Sequence, residues 1–188
     1  MPSSPPYDDR LDERLRLIVA SYQRMTGRPL LGDDLLLAPG RGKGGMGVGS
    51  DNSDVSTPSL ALPLQGGGDV AGAALREALW NAPRAIVAHG TEDDPVFFYG
   101  NRLALQLFEM SFDEFTRLPS RFSAEPQARE ERSKLLERVT RQGYADNYSG
   151  MRIASSGKRF MIADGTVWNL IDEQGKHRGQ AAVFVGQK

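Results

Sequence analysis

Three extended segments near the C-terminus, 144–154, 158–171 and 177–185, are separated only by the turn signals "SSG" at 155–157 and "DEQG" at 172–175. Apolar residues alternate within them, as Phe160, Ile162, Trp168 and Leu170, and again as Ala181, Val183 and Val185. Such a run predicts an antiparallel meander with one face to cover. Whatever precedes it must supply that cover.

The preceding residues read as strands and then helices. "AALREALWNAPRAI" predicts a short helix with Leu75, Leu79 and Trp80 inward and Pro83 at its exit. Ile86–His89 and Val96–Tyr99 read as two strands able to pair as a hairpin across the loop "HGTEDDP". At Gly100-Asn101 the chain passes abruptly from extended to helical. Asn101 is a good N-cap, because its side-chain oxygen can accept a bond from a free N–H of the first turn. Leu103, Leu107 and Met110 share a helical face, with Phe108 alongside. Ser111 and Glu114 have the S-x-x-E spacing of a capping box, which starts a further short helix. Pro119 and Pro126 bracket an irregular stretch, and a highly charged helix is predicted over 127–142, with Leu135, Leu136 and Val139 inward. This order predicts an α+β fold, a five-stranded antiparallel sheet with helices on one face, plus an N-terminal helix.

The N-terminal helix follows from Leu11, Leu15, Ile18, Tyr22 and Met25, spaced by four and three behind an Asp8 or Asp9 cap. Its stripe serves either packing on its own domain or a homodimer. From Ala38 to Gly72 the chain is dominated by Gly, Ser, Asp and Pro, and burial there cannot offset the ~1–2 kcal/mol per residue cost of ordering a backbone. The expected organisation is a helical leader over 1–37, a flexible linker or insertion over 38–72 and a folded domain over 73–188.

Composition removes several classes of function. The net charge of −1 supplies no field for nucleic acid or an acidic membrane. The chain has no cysteine, so disulfides, thiolate metal sites and cysteine nucleophiles are excluded. No apolar run approaches the roughly 20 residues needed to span a bilayer, and "MPSSPPYDDR" does not read as a signal peptide. A cytoplasmic protein is expected. "GRGKGGMG" contains Gly40, Gly42 and Gly45 in a G-x-G-x-x-G spacing, but Pro39 precedes it and no helix follows, so it is not read as a dinucleotide site.

The runs "HGTEDDPVFFYGNRLALQLFE", "LPSRFSAEP", "REERSKLLERVTRQGY", "YSGMRIASSGKRF" and "TVWNLIDEQGKHRGQAAVF" together closely resemble the MEKHLA family, a PAS-related domain. The resemblance covers about 75–185, with "SYQRMTGRPLL" similar to the family's leader. It departs at the Gly-rich stretch, which looks like an insertion. It departs again at the C-terminus, "GQAAVFVGQK", where the hexapeptide that names the family is missing. The resemblance implies a PAS-like sensory fold that holds ligands between helices and sheet.

Pockets of that type are apolar with a few fixed polar groups. Tyr99, Asn101, Phe108, Ser120, Arg121, Ser123, Tyr148, Arg152, Trp168 and Asn169 are the candidates to supply that mixture. Their competing roles are structural: the aromatics as core, Asn101 as a cap, Arg121 and Arg152 as ion-pair partners of Glu125 or Asp146. His89 and His177 are the only histidines and lack the paired spacing of a metal site. Haem on His89 is weaker than a hydrogen-bonded structural histidine. Without cysteine the thiol–flavin adduct of light-sensing PAS relatives cannot form, though flavin bound without an adduct stays open, so the cofactor is left unknown. No nucleophile, base and orienting acid stand in a recognisable order, and no enzyme is expected. The expected function is a sensory or small-molecule-binding domain that signals by contact with a partner, itself unnamed by the sequence. The alternative is a ligand-free protein-interaction or dimerisation module.

Overall fold

The computed structural model describes residues 5–31 and 68–187. Most of the expected Gly-rich linker therefore lies outside the described residues, as does "GRGKGGMG". The chain re-enters as a helix at Gly68, inside the stretch assigned to the linker.

Helix α1 (Asp9–Thr26) starts where expected. Asp8 caps it, its Oδ1 accepting from Leu11 N at 2.7 Å, and Gly27 ends it in the left-handed conformation at φ 70°. Helix α2 (Gly68–Trp80) leads into strands β1 (Ala85–His89) and β2 (Phe97–Gly100). The corner then yields α3 (Arg102–Phe108) and α4 (Phe112–Phe115). Ser111 and Glu114 form the full capping box of α4. A 3-10 turn over Ser120–Ser123 precedes α5 (Pro126–Gln142), after which come β3 (Tyr144–Ile153), β4 (Arg159–Ile171) and β5 (His177–Gln187).

The strands make one antiparallel sheet in the order β2-β1-β5-β4-β3. The meander thus lies directly beside the hairpin, through β1–β5 pairing from Ala85↔Phe184 to His89↔Gln180. The hairpin alone would leave both edges open. Completing β1 with β5 puts both N-terminal strands into a single five-stranded surface.

Both faces of that surface are covered. Helices α3 and α4 pack Leu105, Phe108 and Phe115 against Phe97, Phe160 and Phe184 on the inner face. Phe97 stacks on Phe115 at 4.4 Å between centroids, and Phe108 meets Phe160 edge-on at 5.0 Å. On the outer face lies α1. Its Leu11, Leu15, Ile18 and Tyr22 join Ile86, Tyr99, Trp168, Leu170 and Val183 in one core. Leu15 and Ile18 are fully buried, and Tyr22 meets Trp168 edge-on at 4.8 Å. The stripe that raised the homodimer is therefore occupied within the chain. Ser21 adds a stitch: its Oγ donates to Ile171 O and accepts from Ile171 N, both at 3.1 Å.

β4 departs from simple alternation. Ala163 pairs with Val185 but Thr166 pairs with Val183, so β4 carries one extra residue there, with Asp164 at φ 49°. One inserted residue inverts every later side chain. Phe160 and Ile162 face inward, while Trp168 and Leu170 face α1.

Candidate ligand cavity

A cavity of about 50 Å³ lies between the inner sheet face and α5. Val87, Phe97, Phe108, Leu135, Ile162 and Phe184 give it an apolar wall. Its polar members are His89, Ser123, Arg132, Tyr148, Arg152 and Gln180. Sheet and helix place them by periodicity. Arg132 shares a face of α5 with Leu135, Leu136 and Val139, at spacings of three, four and seven. Gln180, Ala182 and Phe184 alternate along the inner face of β5.

Of the ten residues expected from sequence, Phe108, Ser123, Tyr148 and Arg152 line this cavity. Ser120 stands behind it, its Oγ accepting from Arg132 Nη2 at 2.9 Å. Asn169 also supports from behind. Its Nδ2 donates to Val139 O at 2.9 Å and its Oδ1 accepts from Gln180 Nε2 at 3.0 Å. Gln180 Nε2 further donates to Leu136 O at 3.1 Å. The two amides thus satisfy carbonyls near the C-terminal end of α5 and fix that helix over the cavity.

Four of the ten lie elsewhere. Tyr99 and Trp168 belong to the core under α1, on the far side of the sheet. Trp168 is placed there by the extra residue in β4. Asn101, with no exposed surface, is a structural hub. Its Oδ1 accepts from Ile86 N and Ala104 N, each at 3.0 Å, and its Nδ2 donates to Arg84 O at 2.9 Å and Leu79 O at 3.3 Å. Arg121 is exposed, paired with Asp94 and lying over the Phe122 ring. The acids proposed for the arginines are taken by others: Glu125 by Arg159 and Asp146 by Arg28, each at 2.8 Å. Arg152 instead donates to Tyr148 Oη at 2.9 Å and Met151 O at 2.7 Å.

Arg132, His89 and Gln180 were not among the ten. The helical spacing before Leu135 and Leu136 carried the signal for Arg132, which the charged surroundings masked. The strand alternation carried it for Gln180. Arg132 is 8% exposed, Arg152 6% and His89 7%. Burial, with a smaller push from Arg152, brings the Arg132 guanidinium down to about 10. Burial likewise brings His89 down to about 4, only partly opposed by its contact with Gly90 O, and the ring is neutral near pH 7. His89 Nδ1 lies 3.0 Å from that carbonyl and Nε2 has no partner. Among the described residues no cluster of three or more acidic or histidine side chains is placed to hold a metal, and no helix is long and apolar enough to cross a membrane.

A five-stranded antiparallel sheet in this order, with short helices over its inner face, defines a PAS-type domain. The structure aligns with the PAS domain of a protein from Colwellia psychrerythraea at a TM-score of 0.51 and 16% identity, over 57% of this chain and 89% of that one. It is also similar to the dark structure of the LOV domain of the blue-light photoreceptor Aureochrome1 (TM-score 0.47, 19% identity, 61% and 83% covered). A third similar structure is the LOV domain of a blue-light-activated histidine kinase from Erythrobacter litoralis (0.45, 19%, 55% and 95%). Comparison with curated protein sequences found no match. Residues 63–187 match the family model of the MEKHLA domain, and the chain belongs to that family.

Proposed function

We propose that this chain is a sensory domain that binds a small molecule in the inner cavity and reports its presence by contact with a partner protein. One observation carries the reading: buried polar groups line a partly open, largely apolar cavity, with a hydrogen-bond acceptor unused and two cations unneutralised. His89 Nε2 is buried without a partner, and Arg132 and Arg152 pair with no carboxylate among the described residues. Unused capacity of this kind is costly in a folded protein, and a ligand relieves it. The reading is of a binder and not an enzyme, since the polar groups form no nucleophile, base and acid series. A cytoplasmic place and a signalling role are parts of the same proposal.

Native mass spectrometry of the purified full chain tests it, together with a thermal-shift screen of metabolites. A co-purifying compound, or a metabolite that raises Tm, is the expected result. Bare protein with no responding metabolite would remove the reading. Near-ultraviolet and visible absorbance of the same sample reports flavin or haem directly.

A second reading, an interaction module without ligand, has its own support. On the α1 side of the sheet, Met161 and Val185 are 37% and 38% exposed. Light scattering decides its homodimeric form: a dimer that M161K and V185K convert to monomer favours it, and a monomeric parent chain counts against it.

A further inference from the structure

The polar groups of the cavity are unbalanced in charge. Arg132 and Arg152 are both more than nine-tenths buried. Among the described residues they donate to neutral oxygens: Ser120 Oγ for Arg132, Tyr148 Oη and Met151 O for Arg152. Neither takes part in an ion pair among the described residues. On top of burial, the nearby charge of Arg152 further depresses the guanidinium of Arg132. Burying two like charges without a counter-charge is unfavourable unless an anion joins them.

His89 adds a demand of opposite kind. Its ring is neutral near pH 7, and Nδ1 lies against the Gly90 carbonyl, so Nδ1 carries the hydrogen and donates it. Nε2 is then a bare acceptor, buried and unpartnered. An occupant must bring a negative group to the arginines and a hydrogen-bond donor to His89.

The wall and the volume narrow the choice further. The rest of the lining is largely apolar, including Val87, Leu135 and Ile162, so a small carbon skeleton suits it better than a bare inorganic ion. About 50 Å³ takes roughly three to five waters at the ~10–15 Å³ that each requires. That is the scale of a molecule of about five non-hydrogen atoms.

We infer that the cavity is the site of a compact hydroxy-carboxylate, with its carboxylate between Arg132 and Arg152 and its hydroxyl donating to His89 Nε2. The inference rests on the sensory reading above and assigns its ligand class. Glycolate is the smallest member and serves as the probe.

Thermal shift on the full chain compares glycolate with acetate, which lacks the hydroxyl, ethylene glycol, which lacks the charge, and inorganic phosphate, which lacks carbon. Glycolate at a hundredfold excess over its Kd raises Tm by roughly 5–10 °C. Acetate gives less and ethylene glycol nothing. R132M retains the fold, because an apolar side chain replaces a buried charge, and loses the response. Should R132M not fold, the parent chain still decides. With two histidines in the chain, the His89 ring nitrogen resonances are assignable by NMR with H177Q. Glycolate must move Nε2 of His89 and leave His177 unmoved.

An equal response to ethylene glycol, a response to phosphate alone, or none to glycolate overturns the assignment. If a neutral metabolite binds where glycolate does not, only the ligand class falls. If nothing in the metabolite panel binds, the sensory reading falls with it.

Discussion

Asn101 makes four hydrogen bonds with one amide. It joins the end of α2, the start of β1 and the first turn of α3. Replacing it with alanine removes a cap and leaves buried backbone groups at Ile86 and Arg84 short of a partner. N101A should lose roughly 2–4 kcal/mol of stability in urea denaturation; a loss under about 1 kcal/mol would contradict this role. The cap was legible because it depends on neighbours three residues away. The reach to Leu79 and Arg84 was not, because it depends on how the helices return to the sheet. His89 makes a prediction in pH. Its folded value of about 4 lies below its ordinary 6.5, so between these values the unfolded chain takes up a proton that the folded chain refuses. Stability is therefore held above about pH 6.5 and lost as pH falls toward 4, by on the order of 3 kcal/mol. The groups acting on the ring are Arg132 and His177, which disfavour its charge, and Glu92, which favours it. His177, also lowered by partial burial, adds to the same slope. H89N should shrink the fall in Tm between pH 7 and pH 5 relative to the parent chain, and an equal fall in both would refute the assignment to His89.

At the scale of elements, the clearest lesson is β4. Strict alternation assigns Phe160, Ile162, Trp168 and Leu170 to one face, and the apolar pattern contains nothing against it. The extra residue between Ala163 and Thr166 divides them between two cores. A bulge is decided by pairing with β5 and β3, so it was hidden from a reading of β4 alone, and Trp168 was placed on the wrong side in consequence. Helix α1 shows the reverse. Its stripe and caps were plain in the sequence, and only the surface it covers was left open, between its own domain and a second copy. At about 1.5–3 kcal/mol for each fully buried aliphatic side chain, Leu15 and Ile18 alone hold α1 to the sheet by several kcal/mol. I18D should accordingly cost at least about 3 kcal/mol. In a Trp80→Phe background the fluorescence of Trp168, which Tyr22 contacts, should shift as α1 detaches. Unaltered stability and emission would mean that α1 does not need this face.

For the whole molecule, one sheet serves two cores. β1, β4 and β5 carry the cavity wall inward and the bed of α1 outward, often on successive residues, as with Val167 and Trp168 or Ala182 and Val183. Under the proposed function this gives a signal a physical route out of the cavity: a shift of a strand on one side would be felt on the other, because packed interiors yield little. The order of elements made the sheet legible from sequence. The cavity was only half legible, since it depends on which side each strand presents and on where α5 lies. Ala182, on the inner face of β5 and lining the cavity, allows the binding claim to be tested in place. The measurement is a thermal-shift panel of small metabolites run in parallel on the parent chain and on A182L, whose added methyl groups occupy the space. The account predicts a metabolite that raises Tm of the parent chain and no longer does so in a folded A182L; no responder at all, or one that acts equally on both, would contradict it.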